Sequence, residues 1–122
     1  TALGKAMLAH LSSTELNQFV DDYEFSPVTP QTITDASNFI AELEQTLLRG
    51  FAVDNQENEL GGRCVAAAIY DYHGDPVAAI SMSVPIQRFP EDKIPEYGTR
   101  IKLAARQISL QLGANLTEEQ DS

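Results

Sequence analysis

The chain has 122 residues, of which 43% are hydrophobic, and its 18 acidic and 8 basic residues give a formal charge of −10. This length predicts one domain with a single core. No apolar run approaches the roughly 20 residues that cross a membrane, so we expect a cytoplasmic protein that does not bind membranes. The acidic surface would repel a phosphate backbone, so contact with DNA would need another domain. A single cysteine excludes an internal disulfide and a multi-cysteine zinc site.

The chain begins with two predicted helices. Residues 1–11 have apolar side chains at helical spacing, without a visible cap at the start. The apolar side of this first helix would contain Leu3, Met7, Leu8 and Leu11. A capping box, Ser12-Ser13-Thr14-Glu15, predicts the start of a second short helix. His10 has no partner that the sequence reveals. Residues 21–30 are acidic, contain two prolines and predict a loop.

A third helix leads to a short strand. Thr34 is its predicted N-cap, and Asp35 is favourable in the first turn. Arg49 suits the last turn, and Gly50 is the expected left-handed stop. Residues 51–54 then predict a short strand, and the polar residues that follow, up to residue 62, predict a loop.

Residues 63–85 predict a β-hairpin. Two runs of small apolar residues are joined by the polar sequence Tyr72-His73-Gly74-Asp75. Because side chains alternate along a strand, Ser81 and Ser83 share one face of the second strand. Val77 and Ala79 share that face as well. On the first strand, Cys64 shares its face with small residues and an aromatic ring: Ala66, Ala68 and Tyr70.

The last predicted helix covers residues 91–112, with Pro95 near its start and Gly113 after its end. Its inner side would contain Ile94, Tyr97, Ile101, Ala104, Ala105, Ile108 and Leu112. Half of the basic residues lie in this helix, where we interpret them as a solvated face: Lys93, Arg100, Lys102 and Arg106. The acidic residues from 115 onward predict a frayed tail.

Four helices and three strands indicate the α+β class. Three strands form a narrow sheet for a chain of this length, and an unpaired sheet edge promotes aggregation. The chain also begins at Thr1 rather than Met. We therefore expect a piece of a longer protein in which further strands precede Thr1.

Four polar side chains on the predicted strands are candidates for a binding site. The hydroxyls of Ser81 and Ser83 could bind a carboxylate, or they could belong to small strand residues bonded to the backbone. Cys64 could contact a ligand or be a small buried apolar residue. Asp54 could close a polar pocket or form a turn at the strand end.

Metal binding and catalysis have little support. Asp54, Glu57 and Glu59 lack the spacing of a calcium loop and have no neighbouring His. Cys64 and His73 would lie near opposite ends of the hairpin, too far apart for a nucleophile and its base. No P-loop, dinucleotide fingerprint or nucleophile elbow is present. We predict no metal, no cofactor and no enzymatic activity.

Three stretches resemble the effector-binding domain of the IclR family of bacterial transcriptional regulators. Residues 1–6, Thr-Ala-Leu-Gly-Lys-Ala, resemble the start of its pocket helix. Residues 50–66, with Asp54 and the Gly-Gly-Arg-Cys run, resemble its long signature, and residues 78–85 resemble its serine-pair strand. The resemblance implies a GAF-like or profilin-like antiparallel sheet flanked by helices. Residues 1–122 would be the C-terminal part of that domain, and a winged helix-turn-helix domain would lie outside this chain.

The resemblance also implies an effector pocket and its ligand class. Six residues would line the pocket, namely Ala2, Leu3, Asp54, Cys64, Ser81 and Ser83, and Gly4 and Gly62 would flank it. The effector would be a small organic acid, such as a carboxylate or a sugar acid, that modulates operator binding by a repressor-like homo-oligomer, either a dimer or a tetramer. Leu3 is larger and Gly62 smaller than is common in the family, so the effector's identity does not carry over. Two alternatives stay open: a small-molecule enzyme on a GAF-like scaffold, and a pure oligomerisation module.

Overall fold

The computed structural model describes residues 1–22, 28–57 and 60–115. Within these ranges the helices are α1 (Ala2–Leu8), α2 (Ser13–Asp22), α3 (Ala36–Arg49) and α4 (Ile94–Gln111). The strands are β1 (Ala52–Asn55), β2 (Gly62–Tyr70) and β3 (Pro76–Pro85), and short 3-10 helices cover Ile86–Arg88 and Glu91–Lys93. The predicted α+β class is confirmed. None of the helices in the described ranges is long and apolar enough to span a bilayer. Residues 23–27 of the predicted loop and the predicted tail from 116 onward lie outside the described residues.

The first two helices are capped by hydroxyl side chains. The Oγ1 of Thr1 accepts from the backbone N–H of Gly4 at 3.1 Å, so the predicted uncapped start is wrong. The Ser12 cap of the predicted capping box is confirmed, because Ser12 Oγ accepts from the Glu15 N–H at 3.2 Å; the hydroxyl also donates to the Glu15 carboxylate at 2.9 Å. Each cap satisfies an N–H group that the first helical turn leaves without an intrahelical acceptor.

The ends of α3 and α4 differ in detail from the predicted bounds. Asp35, rather than Thr34, is the N-cap of α3, and its carboxylate accepts from the Asn38 N–H at 3.2 Å. Gly50 ends α3 in the left-handed conformation with φ of 83°, as predicted. The predicted last helix is divided, since a 3-10 turn precedes α4 and Pro95 falls in the first turn of α4. Proline is tolerated there because the first-turn N–H groups have no intrahelical acceptor.

The sheet is antiparallel with the order β1-β2-β3, so the predicted hairpin is confirmed. Its register aligns Asp54 with Cys64 and Cys64 with Ser83 in one row across the three strands. The neighbouring row aligns Ala52, Ala66 and Ser81. A register shift between Ile69 and Tyr70 precedes the turn.

The two faces of the sheet bury different helices. The α1 face is built from small residues, and Ala2 and Ala6 of α1 pack there on Ala52 and Ala66. The α4 face carries larger apolar groups, which form two clusters with α4 and the segment before it. These clusters contain Phe51, Val53, Val65, Phe89, Ala67, Ile69 and Ala105. The asymmetry brings α1 close to the polar side chains that share its face.

The buried line of α4 differs from the predicted inner side in its second half. Ile108 and Leu112 are 37% and 48% exposed, whereas Ser109 is fully buried and donates to the Ala105 carbonyl. Ser109 Oγ also accepts from the Tyr70 N–H at 2.9 Å. The helix therefore lies against the sheet along small residues and satisfies a strand N–H that the sheet leaves open.

Gly98 sets the closest approach of α4 to the segment at the start of β1. A Cβ atom at this position would lie 2.2 Å from the Phe51 ring, which is 7% exposed. We predict that Gly98→Ala lowers the free energy of unfolding by about 2 kcal/mol, because overpacking outweighs the gain of roughly 1 kcal/mol in helix propensity. Chemical denaturation would measure this change. The control is Gln107→Ala on the exposed side of the same helix; equal stability of the Gly98 variant and the wild type would contradict the close-packing account.

Candidate functional site

Four of the predicted site residues lie together on the α1 face. Asp54, Cys64 and Ser83 occupy one row across β1, β2 and β3, and Ser81 lies two residues along β3 on the same face. Neighbouring strands are about 4.8 Å apart, so Asp54 and Ser83 are separated by roughly 10 Å. Ser81 and Ser83 are about 7 Å apart along the strand.

The N-terminal end of α1 covers one side of the same face. Ala2 is 1% exposed and packs in the cluster that includes Cys64 and Ala79. Leu3 is 43% exposed, so the apolar side predicted for this helix is not the side that the structure buries. The helix turns Ala2, Lys5 and Ala6 toward the sheet instead, because the alanines opposite them admit only small or slender side chains. Leu3 lies next to Ala2 in the first turn of α1, and its side chain is partly in solvent.

The described residues leave the site open on the β3 side. Ser81 and Ser83 are exposed, and Cys64 is half-buried. A depression of about 220 Å³ adjoins Ser83 and is lined by Gly62, which was predicted to flank the site. A wider cleft of about 480 Å³ lies elsewhere, at the far end of α1. The predicted site is therefore a half-open polar face.

Asp54 is held by the turn that follows β1. It is 6% exposed, and its Oδ1 accepts from the Glu57 N–H at 2.9 Å. The Glu57 carboxylate in turn accepts from the Asn55 N–H at 3.0 Å. Gln56 between them has φ of 62°, in the left-handed region, and its carbonyl accepts from the Thr29 hydroxyl at 2.6 Å. The turn therefore fixes the Asp54 carboxylate at the edge of the site.

Sequence reasoning missed the residue that joins α1 to this turn. Lys5 is 4% exposed, and its ammonium lies 2.6 Å from Glu57 Oε1 and 3.7 Å from Glu42 Oε1. It also donates to the Val53 carbonyl at 2.7 Å. The sequence signal for this role is a lysine that stands between two small residues, Gly4 and Ala6, in the first helix. Through these contacts Lys5 holds α1 against β1, the turn after β1 and α3.

The Cys64 thiol is neutral at physiological pH. Burial raises the pKa of Cys64, and the carboxylate of Asp54 raises it further. Hydrogen bonds from Ser81 and Ser83 act in the opposite direction on this pKa without cancelling the increase. A neutral thiol is a weak nucleophile and a small polarizable contact. The hydroxyls of Ser81 and Ser83 therefore lie beside the thiol, which itself donates to the Val65 carbonyl at 3.8 Å.

The histidines do not join the site. His10, for which the sequence revealed no partner, bonds its Nε2 to Tyr70 Oη at 2.8 Å, and His73 is exposed in the hairpin turn. Burial lowers the pKa of His10, so its imidazole is uncharged at neutral pH. Within the described part of the chain, no three His, Cys, Asp or Glu side chains converge as metal ligands.

Removal of the Lys5 charge tests its structural role. Lys5→Met would leave Glu57 half-buried without its cation, and we predict a loss of about 3 kcal/mol in the free energy of unfolding. The matched control is Lys93→Met, which breaks an exposed ion pair with Glu96 and should cost about 0.5 kcal/mol or less. Urea denaturation of both variants would compare them. Equal losses would show that Lys5 has no special role.

Alkylation measures the thiol environment. Because the pKa of Cys64 is raised, iodoacetamide should alkylate Cys64 slowly at neutral pH. The rate should increase at a higher pH than it does for an ordinary thiol. Asp54→Asn keeps the acceptor for Glu57 and removes the charge, so it should speed alkylation at pH 8 about threefold. Asp71→Asn, in the hairpin turn, is the control. An unchanged rate in the Asp54 variant would remove Asp54 from the neighbourhood of the thiol.

Comparisons with known proteins place this geometry in a family. The family model described as "Bacterial transcriptional regulator IclR C-terminal" matches residues 1–110. The HTH-type transcriptional regulator KdgR of Escherichia coli (strain K12) is 37% identical over 113 residues, covering 93% of this chain and 43% of KdgR. The transcriptional repressor IclR of the same strain is 37% identical over 110 residues, covering 90% of this chain and 40% of that protein. The chain spans about two fifths of the length of these curated relatives.

Comparison with solved structures gives the same family. The Thermotoga maritima IclR structure is 44% identical with a TM-score of 0.85, and the match covers 93% of this chain and 46% of that one. The C-terminal domain of E. coli KdgR is 37% identical with a TM-score of 0.83, covering 93% of this chain and 69% of that domain. The chain therefore belongs to the IclR C-terminal family of bacterial transcriptional regulators.

Proposed function

We propose that this chain is the effector-sensing part of a transcriptional regulator and binds a small organic acid at the polar row of the α1 face. The observation that carries the proposal is the convergence of Asp54, Cys64, Ser81 and Ser83 on one open face beside Ala2. The relatives are named as transcriptional regulators and repressors, which supports a regulatory role. Binding, with no chemical step, is the activity that this set of side chains serves.

The site offers hydrogen-bond donors for a carboxylate. Ser81 and Ser83 supply hydroxyls, and Ala2 and Leu3 supply first-turn N–H groups that have no intrahelical acceptor. The Cys64 thiol fits against the carbon chain of the ligand as a neutral contact. The Asp54 carboxylate at the opposite end accepts from a ligand hydroxyl, which favours a hydroxy acid or a sugar acid over a simple dicarboxylate.

In this proposal, the rest of the regulator consists of segments that are not in this chain. A winged helix-turn-helix domain would contact the operator, because a chain with a net charge of −10 is unsuited to a phosphate backbone. The outer edge of β3, a ten-residue strand, would pair with strands that precede Thr1. The regulator would act in the cytoplasm as a dimer or tetramer, and the effector would bind the DNA-competent and DNA-incompetent states with unequal affinity.

Two other functions have distinct experimental signatures. Turnover of a bound acid that is lost in Cys64→Ser would favour an enzyme, although the neutral thiol argues against a nucleophilic role. Absence of ligand near Ser81 and Ser83 in crystals soaked with small acids would favour a module that only oligomerises.

The serine pair tests the effector site directly. The double variant Ser81→Ala/Ser83→Ala should weaken binding at least tenfold, since hydrogen bonds to a charged group contribute about 1.5–3 kcal/mol each. Because both hydroxyls are exposed, stability should change by less than about 0.5 kcal/mol. Isothermal titration calorimetry with two- to six-carbon hydroxy, 2-oxo and sugar acids would identify a ligand and then compare the variants.

Ser37→Ala, an exposed substitution of the same type in α3, is the matched control and should leave affinity unchanged. Wild-type affinity in the serine double variant would remove those hydroxyls from the site. Absence of binding by any acid in the panel would contradict the ligand class itself.

A further inference from the structure

A second concave site lies at the opposite end of α1 from the proposed effector site. This cleft has a volume of about 480 Å³ and opens between α1, the end of α3, and α4. Its floor is the edge of β2 at Ala67 and Ala68, beyond the point where β1 begins at Ala52. Volumes of roughly 300–1,000 Å³ are typical of small-molecule sites. We name this space the α1–α4 cleft.

The described lining of the α1–α4 cleft contains basic side chains and no acidic ones. None of the described residues that line it is Asp or Glu, although the chain carries 18 acids. Lys102 and Arg106 line it from α4, where a spacing of four residues places them on one side of the helix. Both are half-buried, so the predicted solvated face is wrong for this pair, while Lys93 and Arg100 are exposed.

The Lys102 ammonium is oriented by its packing. Its alkyl chain lies over Gly50, where an added Cβ would be 2.6 Å from Cε. Among the described residues, no carboxylate oxygen lies within 4.0 Å of Lys102. The ammonium therefore contributes positive charge to the cleft without an acidic partner in the described ranges.

The strand edge supplies a donor and an acceptor beside these cations. The Gly62 carbonyl accepts from Gln56 on the β1 side, and the Tyr70 N–H points to the same side and donates to Ser109. Along a strand, the N–H and carbonyl groups of every second residue point to the same side. The Ala68 N–H and carbonyl therefore point to the side where the cleft lies. Ala68 is 8% exposed, the pairing of β1 with β2 ends at Ala66, and no loop backbone or side chain in the described ranges bonds these two groups. Buried backbone groups normally have partners, so this pair indicates a position for a ligand.

Neutral polar groups close the cleft near the hairpin. His10 and Tyr70 bond each other at 2.8 Å, and burial lowers the pKa of His10 and raises the pKa of Tyr70. Neither carries charge at neutral pH. Asn115 adds an amide to the lining. Lys102 and Arg106, the lysine and the arginine of the described lining, thus both lie on the α4 side of the cleft.

We propose that the α1–α4 cleft binds a small organic dianion that also carries an amide group. Its carboxylates would contact Lys102 and Arg106, and its amide would bond the N–H and carbonyl of Ala68. This site is separate from the polar row of Asp54, Cys64 and the serines, and it does not depend on the proposed effector function.

N-acetylaspartate is a suitable probe because it has two carboxylates and one amide. Calorimetry on the folded protein should give a dissociation constant below about 5 mM. The double variant Lys102→Gln/Arg106→Gln should weaken binding at least ~10-fold. If that variant does not fold, Lys102→Gln alone should weaken it about threefold. The matched control Lys93→Gln/Arg100→Gln removes the same charge from exposed positions of the same segment and should change affinity less than ~2-fold.

Three further comparisons distinguish this site from the effector site. Ser81→Ala/Ser83→Ala should bind the probe as the wild type does, and the uncharged diamide of the probe should not bind. In NMR titrations the Ala68 amide proton should move downfield. No binding of N-acetylaspartate, equal binding by the Lys102/Arg106 variant, equal binding by the diamide, or loss of binding in the serine variant would each overturn the proposal.

Discussion

The buried ammonium of Lys5 is the interaction on which the site depends. Its partners belong to β1, to the turn after β1 and to α3, so one cation fixes α1 against three segments. Removing an ammonium from water costs several kcal/mol, and the arrangement is stable only while these partners stay in place. Glu57 is the shared element, because it also donates its N–H to Asp54. The N-terminal end of α1 and the Asp54 carboxylate are therefore positioned by one network.

Most of the polar row could be predicted from strand alternation. Cys64 and Ser83 belong to one hairpin, and the short turn between its strands sets their register. Each of Asp54, Cys64, Ser81 and Ser83 lies on a face that period-two counting identifies, so their convergence follows once the strands are assigned. Ala2 came from the family resemblance alone, since nothing local in α1 indicates which segment it covers.

The orientation of α1 and the second half of α4 could not be predicted, and for related physical reasons. Helical periodicity favours burial of the largest apolar side chains, which would turn Leu3 toward the sheet. The opposing face is made of alanines, and it selects a close approach by Ala2 and Ala6 with Lys5 between them. The same preference for small residues buries Ser109 and leaves Ile108 exposed. Which side of each helix is buried depends on residues that are distant in sequence, and a local sequence pattern carries no information about them.

The two proposed sites would bind anions by different means. The difference follows from where the fold places its lysine and arginine side chains. Lys5 is buried among acids, so within the described ranges the α1 face has no side-chain cation to offer a carboxylate and would rely on hydroxyl and N–H donors. Neutral hydrogen-bond donors constrain the position of a bound carboxylate but attract it only weakly, because the Asp54 carboxylate nearby repels an acid. A ligand there must place its carboxylate at the serine end and a hydroxyl at Asp54, roughly 10 Å away. In the α1–α4 cleft, Lys102 and Arg106 attract any anion, and selectivity has to come from the Ala68 edge. If the α1 face binds the proposed effector, it would therefore distinguish one hydroxy acid from another, because recognition there would depend on geometry rather than on charge.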